Sequence, residues 1–293
     1  MLPIIFFLFL GKGISAQADL QITTEVRSFS KGNYSSYQVT IPQASLRDTE
    51  REWMRYLRRG SKARPEMING EIIQRGAVDK NVSPAPFIVY SKLLETGKEV
   101  ILTAWFTDND TLFYSAAQSS DRDIAVRKYL RDFAVLAYRN ALSAELSREK
   151  QKLNALEEAL EALIRSEERA RRKINEHQRS IERNESAVRL NETEQKNKIN
   201  QIAQQKRTAE SLRSMPEAYK AALKTAEQYE SDLKKLQREH EKLHRGADSR
   251  RRDIRTLERE IEKSKSEQEV KKAQIASQTA TVRSVEEKLN NIR

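Results

Sequence analysis

The feature that most constrains this chain is a highly charged stretch from residue 142 to residue 292, where apolar side chains recur at alternating steps of four and three. This stretch contains one glycine, Gly246, and one proline, Pro216, and it lacks tryptophan and phenylalanine. The spacing is that of a coiled coil, with a period near 3.5 residues. Half of the chain is therefore unsuited to forming a globular enzyme domain.

The apolar seam of this coiled coil can be followed on both sides of Pro216. Polar residues such as Asn184, Asn191 and Gln268 occupy other seam positions, where they lower stability but fix the register and the number of strands. A solitary charged helix is the alternative, and the regularity of the seam over many turns favours the coiled coil. The predicted seam includes Leu146, Leu153, Leu160, Leu233, Leu236, Leu243, Ile254, Leu257, Ile261 and Leu289.

The heptad frame changes once, near Pro216, and this change predicts a turn between two helices. Ser214 can cap a helix, with Glu217 three residues later completing a capping box, and proline is tolerated in the first helical turn. We therefore predict two arms, over residues 140–213 and 214–293, with Ser214, Pro216 and Glu217 at the tip of an antiparallel hairpin. The alternative is a continuous rod that is kinked at Pro216.

The N-terminus predicts the compartment. Residues 2–10 form a short apolar run that suits a signal peptide and is too short to span a bilayer, and Ala16-Gln17-Ala18 resembles an A-x-A cleavage site. The sequence contains no cysteine, so it has neither a lipoprotein-anchor cysteine nor disulfides. We expect residues 1–18 to be removed, and the mature chain to be periplasmic or secreted, without a transmembrane segment.

Residues 19–139 are predicted to form a small α+β head. Alternating apolar residues predict one β-hairpin over residues 20–41 and another over residues 87–106, and an apolar stripe that stops at Gly60 predicts a helix over residues 44–59. The overall prediction is an α+β fold: a small β-sheet head with packed helices, followed by a long α-helical coiled coil.

Further elements of the head are predicted from shorter patterns. Short strands are expected at residues 72–73 and 111–115, and residues 120–123 are expected to cap a helix that continues into the coiled coil. Trp53, Trp105 and Phe133 are predicted core residues.

One motif suggests an enzyme. His240-Glu241-Lys242-Leu243-His244 matches H-E-x-x-H, in which two histidines one turn apart hold zinc and the glutamate acts as a general base. The flanking residues are charged rather than apolar, and the motif lies in the predicted coiled coil, which offers no cleft. We therefore interpret the match as coincidental and predict no catalytic residue, cofactor or metal site.

The net charge of +11 raises the possibility of an anionic partner. Nucleic acid is disfavoured by the predicted export and by the lack of aromatic residues among the basic clusters. Such a surface would instead suit peripheral contact with the cell envelope. We expect the principal partners to be other proteins, or further copies of this chain, through the coiled coil.

Two resemblances accompany these patterns. The segments from Leu233 to His244 and from Glu267 to Ile275, with the signal peptide and head, resemble an uncharacterised family of exported Bacteroidota proteins that have coiled-coil tails. Basic helical-hairpin arms on a small β-containing body are also similar to the Skp-type periplasmic chaperones, which hold unfolded outer-membrane proteins. Here the head is larger and precedes both helices.

Three functions follow as alternatives. The first is a non-enzymatic structural or adaptor protein, with the head as a docking module and the coiled coil as a spacer or assembly arm. The second is a holdase chaperone whose arms cradle clients. The third, an enzyme with its site in the head, has no residues to support it.

Overall fold

The computed structural model describes residues 20–292 and has an α+β fold, with one six-stranded antiparallel sheet and three helices. The predicted signal peptide, residues 1–18, lies outside the described residues. The elements in chain order are β1 (Thr23–Phe29), β2 (Gly32–Pro42), α1 (Leu46–Leu57), β3 (Glu66–Ile68), β4 (Glu71–Ala77), β5 (Phe87–Thr96), β6 (Glu99–Thr107), α2 (Ser120–Ser211) and α3 (Pro216–Asn290).

The sheet has the strand order β1-β2-β6-β5-β4-β3. Both predicted hairpins are present, as the antiparallel pairs β1–β2 and β5–β6. Gly97 stands in the β5–β6 turn with a φ of +65°, a conformation that costs glycine little because it has no Cβ. The expected short strand at residues 72–73 is the centre of β4, which pairs with β3 and β5.

The prediction of a strand at residues 111–115 is wrong. Only Phe113 pairs there, in a single bridge with Thr107. The Thr107 hydroxyl accepts a hydrogen bond from the Asp110 N–H and donates one to the Leu112 carbonyl, so side-chain bonds hold this segment in a turn. The short apolar run at residues 112–114 was outweighed by this local turn chemistry.

Helices α1 and α2 pack against one face of the sheet, and this layer contains the main core of the head. The Ser45 hydroxyl caps α1 by accepting from the Asp48 N–H. At the start of α2 the Ser119 hydroxyl accepts from the Arg122 N–H, so Ser119, one residue before the predicted cap, has that role. The largest fully buried side chains of this core include Tyr37, Trp53, Phe87, Phe106, Leu130 and Phe133.

The other face of the sheet carries a smaller, aromatic cluster. Phe29 stacks on Trp105 with ring centroids 4.5 Å apart, and Phe113 meets Phe29 edge-on at 5.3 Å. Trp53, Trp105 and Phe133 are thus all core residues, as predicted, but Trp105 belongs to a different cluster from the other two.

The described residues form two compact units. The first contains the head up to Leu153 together with the chain from Ser277 onward, and the second is Asn154–Ala276. Helices α2 and α3 contain 92 and 75 residues, and each contributes to both units. Within residues 20–292, no helix has both the length and the apolar character needed to cross a bilayer.

Candidate functional site

The surface along which α2 and α3 contact each other is the most extensive candidate site. Within each unit, side chains at the predicted seam positions are shielded from solvent while most of their neighbours are exposed. Ile261 is buried, at 7% exposure, and the other nine predicted seam residues are partly buried. Burial along these two helices is therefore periodic, and these ten positions lie on the shielded side.

Polar residues of the seam make specific bonds between the helices of the second unit. Asn184 Nδ2 donates to the Leu243 carbonyl at 3.2 Å, and Asn191 Nδ2 donates to the Leu236 carbonyl at 3.1 Å. Both asparagines therefore satisfy their donors with backbone oxygens of the other helix. A shift of either helix by one turn would remove these bonds, so they define the register.

A second set of polar contacts connects residues 163–167 of α2 to residues 264–268 of α3, also within the second unit. Gln268 Nε2 donates to Glu167 Oε2 at 2.8 Å, and Ser264 Oγ donates to the Leu163 carbonyl at 3.4 Å. Gln268 is itself buried, with 8% exposure. Polar seam residues are thus paired rather than left without partners, as buried polar groups require.

Charged pairs flank the seam in the second unit. Lys206 Nζ lies 2.7 Å from Glu230 Oε1, and Arg251 Nη2 lies 2.7 Å from Glu185 Oε1. Such exposed pairs contribute little stability, roughly 0–1 kcal/mol each. Their value is in matching opposite charges between the helices, which selects one alignment over others.

The first unit contains its own contacts between the start of α2 and the end of α3. Gln278 Nε2 donates to the Glu149 carbonyl at 3.1 Å and to Glu149 Oε2 at 2.7 Å. Lys150 pairs with Glu286 at 2.8 Å. These bonds fix the C-terminal part of α3 beside the helix that leaves the head.

The pKa values of three glutamates at these contacts are lowered. Hydrogen bonds from Arg171 and then Gln268 lower the pKa of Glu167, and bonds from Lys152 and then Gln278 lower that of Glu149. A hydrogen bond from Lys206 lowers the pKa of Glu230. In each case the contact favours the carboxylate, so part of the helix pairing depends on ionised glutamate.

The predicted tip residues lie where the chain passes from α2 to α3. Ser214 is between the helices, and Pro216 and Glu217 form the first turn of α3. The Tyr219 N–H donates to the Met215 carbonyl at 2.8 Å, so Met215 rather than Ser214 occupies the cap position. Pro216 then stands at the first helical residue, where its missing N–H has no consequence.

The histidines of the H-E-x-x-H match meet a third group that the sequence pattern did not indicate. His240 Nε2 lies 3.3 Å from Glu192 Oε1 on α2, and the rings of His240 and His244 are 4.5 Å apart. One ligand atom from each residue lies within 4.8 Å of the others. Glu192 was missed because heptad spacing identifies seam positions, and Glu192 is beside the seam.

A polar network in the head anchors the first turn of α2. The Tyr37 hydroxyl donates to Asp123 Oδ1 at 3.0 Å, and Arg127 pairs with Asp123 at 2.7 Å. Arg127 also donates to the Ile22 carbonyl before β1. Burial, followed by the bond to Asp123, raises the pKa of Tyr37 far above its ordinary value, so this hydroxyl remains a donor. The network is a structural anchor between helix and sheet.

The chain matches no protein-family model and no curated protein.

Proposed function

We propose that this chain is a non-enzymatic, exported structural or adaptor protein of the cell envelope, in which α2 and α3 form an antiparallel coiled-coil hairpin. The head is the docking module and the coiled coil is a spacer or assembly arm. Residues 1–18 direct export and are removed.

The direction of the contacts between α2 and α3 carries this proposal. Asn184 bonds to Leu243, whereas Asn191 bonds to Leu236. A later residue of α2 therefore contacts an earlier residue of α3. In the first unit, likewise, Arg139 donates to the Ile292 carbonyl while Glu149 accepts from Gln278. This order is expected of two antiparallel arms of one chain.

The pairing of the arms determines which surfaces remain for a partner. Because each helix uses its apolar seam on the other, most of the surface that remains for an external protein consists of the charged outer faces and the head. Outer faces rich in lysine, arginine and glutamate suit specific, electrostatically guided docking better than capture of apolar clients. This favours an adaptor.

One observation favours the holdase as a second candidate. A groove of the second unit has an apolar floor that includes Ala159, Leu163 and Val270, with Arg169, Glu267 and Lys271 also in its lining, and Val270 is 55% exposed. A small apolar groove of this kind suits contact with an extended, apolar segment of an unfolded client.

Identification of the proteins that co-purify with the full chain from its native envelope separates these functions. An adaptor should co-purify with one envelope complex at a constant molar ratio to the chain. A holdase should co-purify with many different outer-membrane proteins. The matched variant is Val270→Glu, which places a charge in the groove. We expect it to leave an adaptor complex intact, and its loss of a varied set of clients would instead establish the holdase.

A purified assay supplies the second arm of this test. An unfolded outer-membrane porin is diluted from urea with or without an equimolar amount of the chain, and light scattering is followed. The adaptor proposal predicts no protection from aggregation. Protection that Val270→Glu abolishes would contradict it.

A further inference from the structure

The cluster formed by Glu192, His240 and His244 joins the two long helices at one point. His240 and His244 are one turn apart on the same face of α3, and Glu192 reaches them from α2. These three side chains offer two imidazole nitrogens and one carboxylate oxygen. They are partly or fully exposed, so an ion from solution can reach them.

The separations suit a metal ion bound directly by all three groups. Zinc binds histidine nitrogen at about 2.0–2.1 Å and carboxylate oxygen at about 2.0–2.2 Å, so two ligands of a tetrahedral site are about 3.3 Å apart. The separation of His240 Nε2 and Glu192 Oε1 is 3.3 Å. His244 completes the set within 4.8 Å, a gap that side-chain rotation can close.

The surrounding contacts hold the two helices in the alignment that the cluster needs. The bond from Asn191 to the Leu236 carbonyl lies on one side of His240, and the bond from Asn184 to the Leu243 carbonyl lies on the other. Because these bonds define the register, they hold Glu192 opposite His240. A ligand set that is already aligned loses little conformational entropy on binding.

The arrangement differs from a zinc protease site in the position of Glu241. This glutamate is exposed, and its Oε2 lies 3.5 Å from Arg245 Nη2 on the same helix. The carboxylate that completes the cluster therefore comes from Glu192, on another helix, and acts as a ligand. The geometry is that of a bridge between helices.

We propose that Glu192, His240 and His244 bind a divalent transition-metal ion of the zinc class, and that this ion links α2 to α3. Imidazole and carboxylate ligands favour zinc and its neighbours in the first transition row over calcium or magnesium. Three protein ligands leave a further position for water. Because the bound ion requires both helices in register, its concentration tunes the stability of the helix pair.

The test uses the full chain and zinc itself, with binding measured by competition against a chromogenic chelator. We expect one zinc ion per chain, with affinity lowered about tenfold or more by Glu192→Gln, His240→Ala or His244→Ala. The controls are Glu241→Gln, which alters the motif but not the cluster, and His177→Ala, which removes the third histidine of the chain. Both should bind zinc as the unaltered protein does.

Thermal unfolding provides a readout of the link between the helices. Zinc should raise the midpoint of the helical transition in the unaltered chain and in Glu241→Gln, and the rise should be clearly smaller in Glu192→Gln at the same zinc concentration. All of these positions are solvent-accessible, and circular dichroism without zinc verifies that each variant folds. Absence of stoichiometric zinc would overturn the proposal. Zinc affinity and stabilisation in Glu192→Gln equal to those of the unaltered chain would also overturn it, because the histidine pair would then be acting alone.

Discussion

Asn191 Nδ2 lies 3.1 Å from the carbonyl oxygen of Leu236, and this bond connects α2 to the backbone of α3 at a buried position of the seam. Asn191 Oδ1 also accepts from Gln195 Nε2, so the amide is used on both sides. A polar group placed here restricts the helices to alignments in which it finds a partner. Register, rather than maximal stability, is what this residue provides.

The substitution Asn191→Leu tests this role. We expect the helical transition to be stabilised by about 1 kcal/mol or more, because a buried amide is replaced by an apolar side chain of similar size. We also expect the loss of a single register, seen as mixed oligomeric species by light scattering. Asn197→Leu, at an exposed position of the same helix, is the control and should change neither property.

The pH dependence of the helix pair follows from the lowered pKa of Glu167. A carboxylate whose folded pKa lies below its ordinary value of 4.5 stabilises the fold fully above that value, and this contribution is lost as the pH falls through the folded pKa. Between pH 7 and pH 3, the free energy of unfolding in urea should therefore fall less in Glu167→Gln than in the unaltered chain.

Glu168→Gln is the matched control for that measurement. Glu168 pairs with Arg172 on its own helix, whereas Glu167 is bonded both to Arg171 and across to Gln268. The contact between the helices would not explain the pH dependence of stability if Glu167→Gln lost as much stability in acid as the unaltered chain. The same would follow if Glu167→Gln and Glu168→Gln changed that loss equally.

The two tryptophans of the head should differ in their response to phenylalanine. Trp53 Nε1 donates to Ser91 Oγ at 2.8 Å, whereas Trp105 Nε1 is buried without a partner among the residues that the structure describes. Trp53→Phe should cost about 1 kcal/mol more in free energy of unfolding than Trp105→Phe, because only the first loses a buried hydrogen bond. If urea unfolding showed the same loss in free energy of unfolding for both variants, the hydrogen bond of Trp53 would not contribute the stability expected of it.

Export can be tested at the N-terminus of the protein isolated from its native host. If residues 1–18 are a signal peptide, sequencing of the mature chain should begin at Asp19, or at Gln17 if cleavage follows Ala16. Recovery of Met1 from a membrane-free fraction would contradict the predicted export.

The sequence predicted the parts of the fold that depend on a repeated local pattern. Both hairpins and the core tryptophans follow from periodicity, which local spacing determines. The strand at residues 111–115 failed because hydrogen bonds of Thr107 hold a turn there. The bonds across the seam were also beyond prediction, since heptad spacing leaves open which residue of α3 faces Asn184.

The metal-ligand cluster illustrates the same limit. The pair His240 and His244 is visible in the sequence, but Glu192 is 48 positions from His240 and joins it only through the alignment of two helices. Judged as a protease signature, the motif lacked support from its flanking residues. The proposed role of the two histidines as metal ligands depends on Glu192, which no local sequence pattern connects to them.

The pairing of α2 with α3 within one chain is tested most directly by a disulfide between residues 184 and 246. A Cβ atom added to Gly246 would lie 3.1 Å from Asn184 Nδ2, so Asn184→Cys with Gly246→Cys brings two thiols close together. The chain has no cysteine of its own to interfere. Asn184→Cys with Asp253→Cys is the control, since that residue lies one heptad further along α3, about 10 Å away along the helix axis.

Mild oxidation of dilute protein, followed by mass spectrometry and non-reducing electrophoresis, gives the answer. The antiparallel hairpin predicts a disulfide between residues 184 and 246 of the same chain in high yield, and little or none in the control pair. A rod kinked at Pro216 predicts no such bond within a chain. Disulfides confined to pairs between chains, or equal yields from both double variants, would contradict the hairpin.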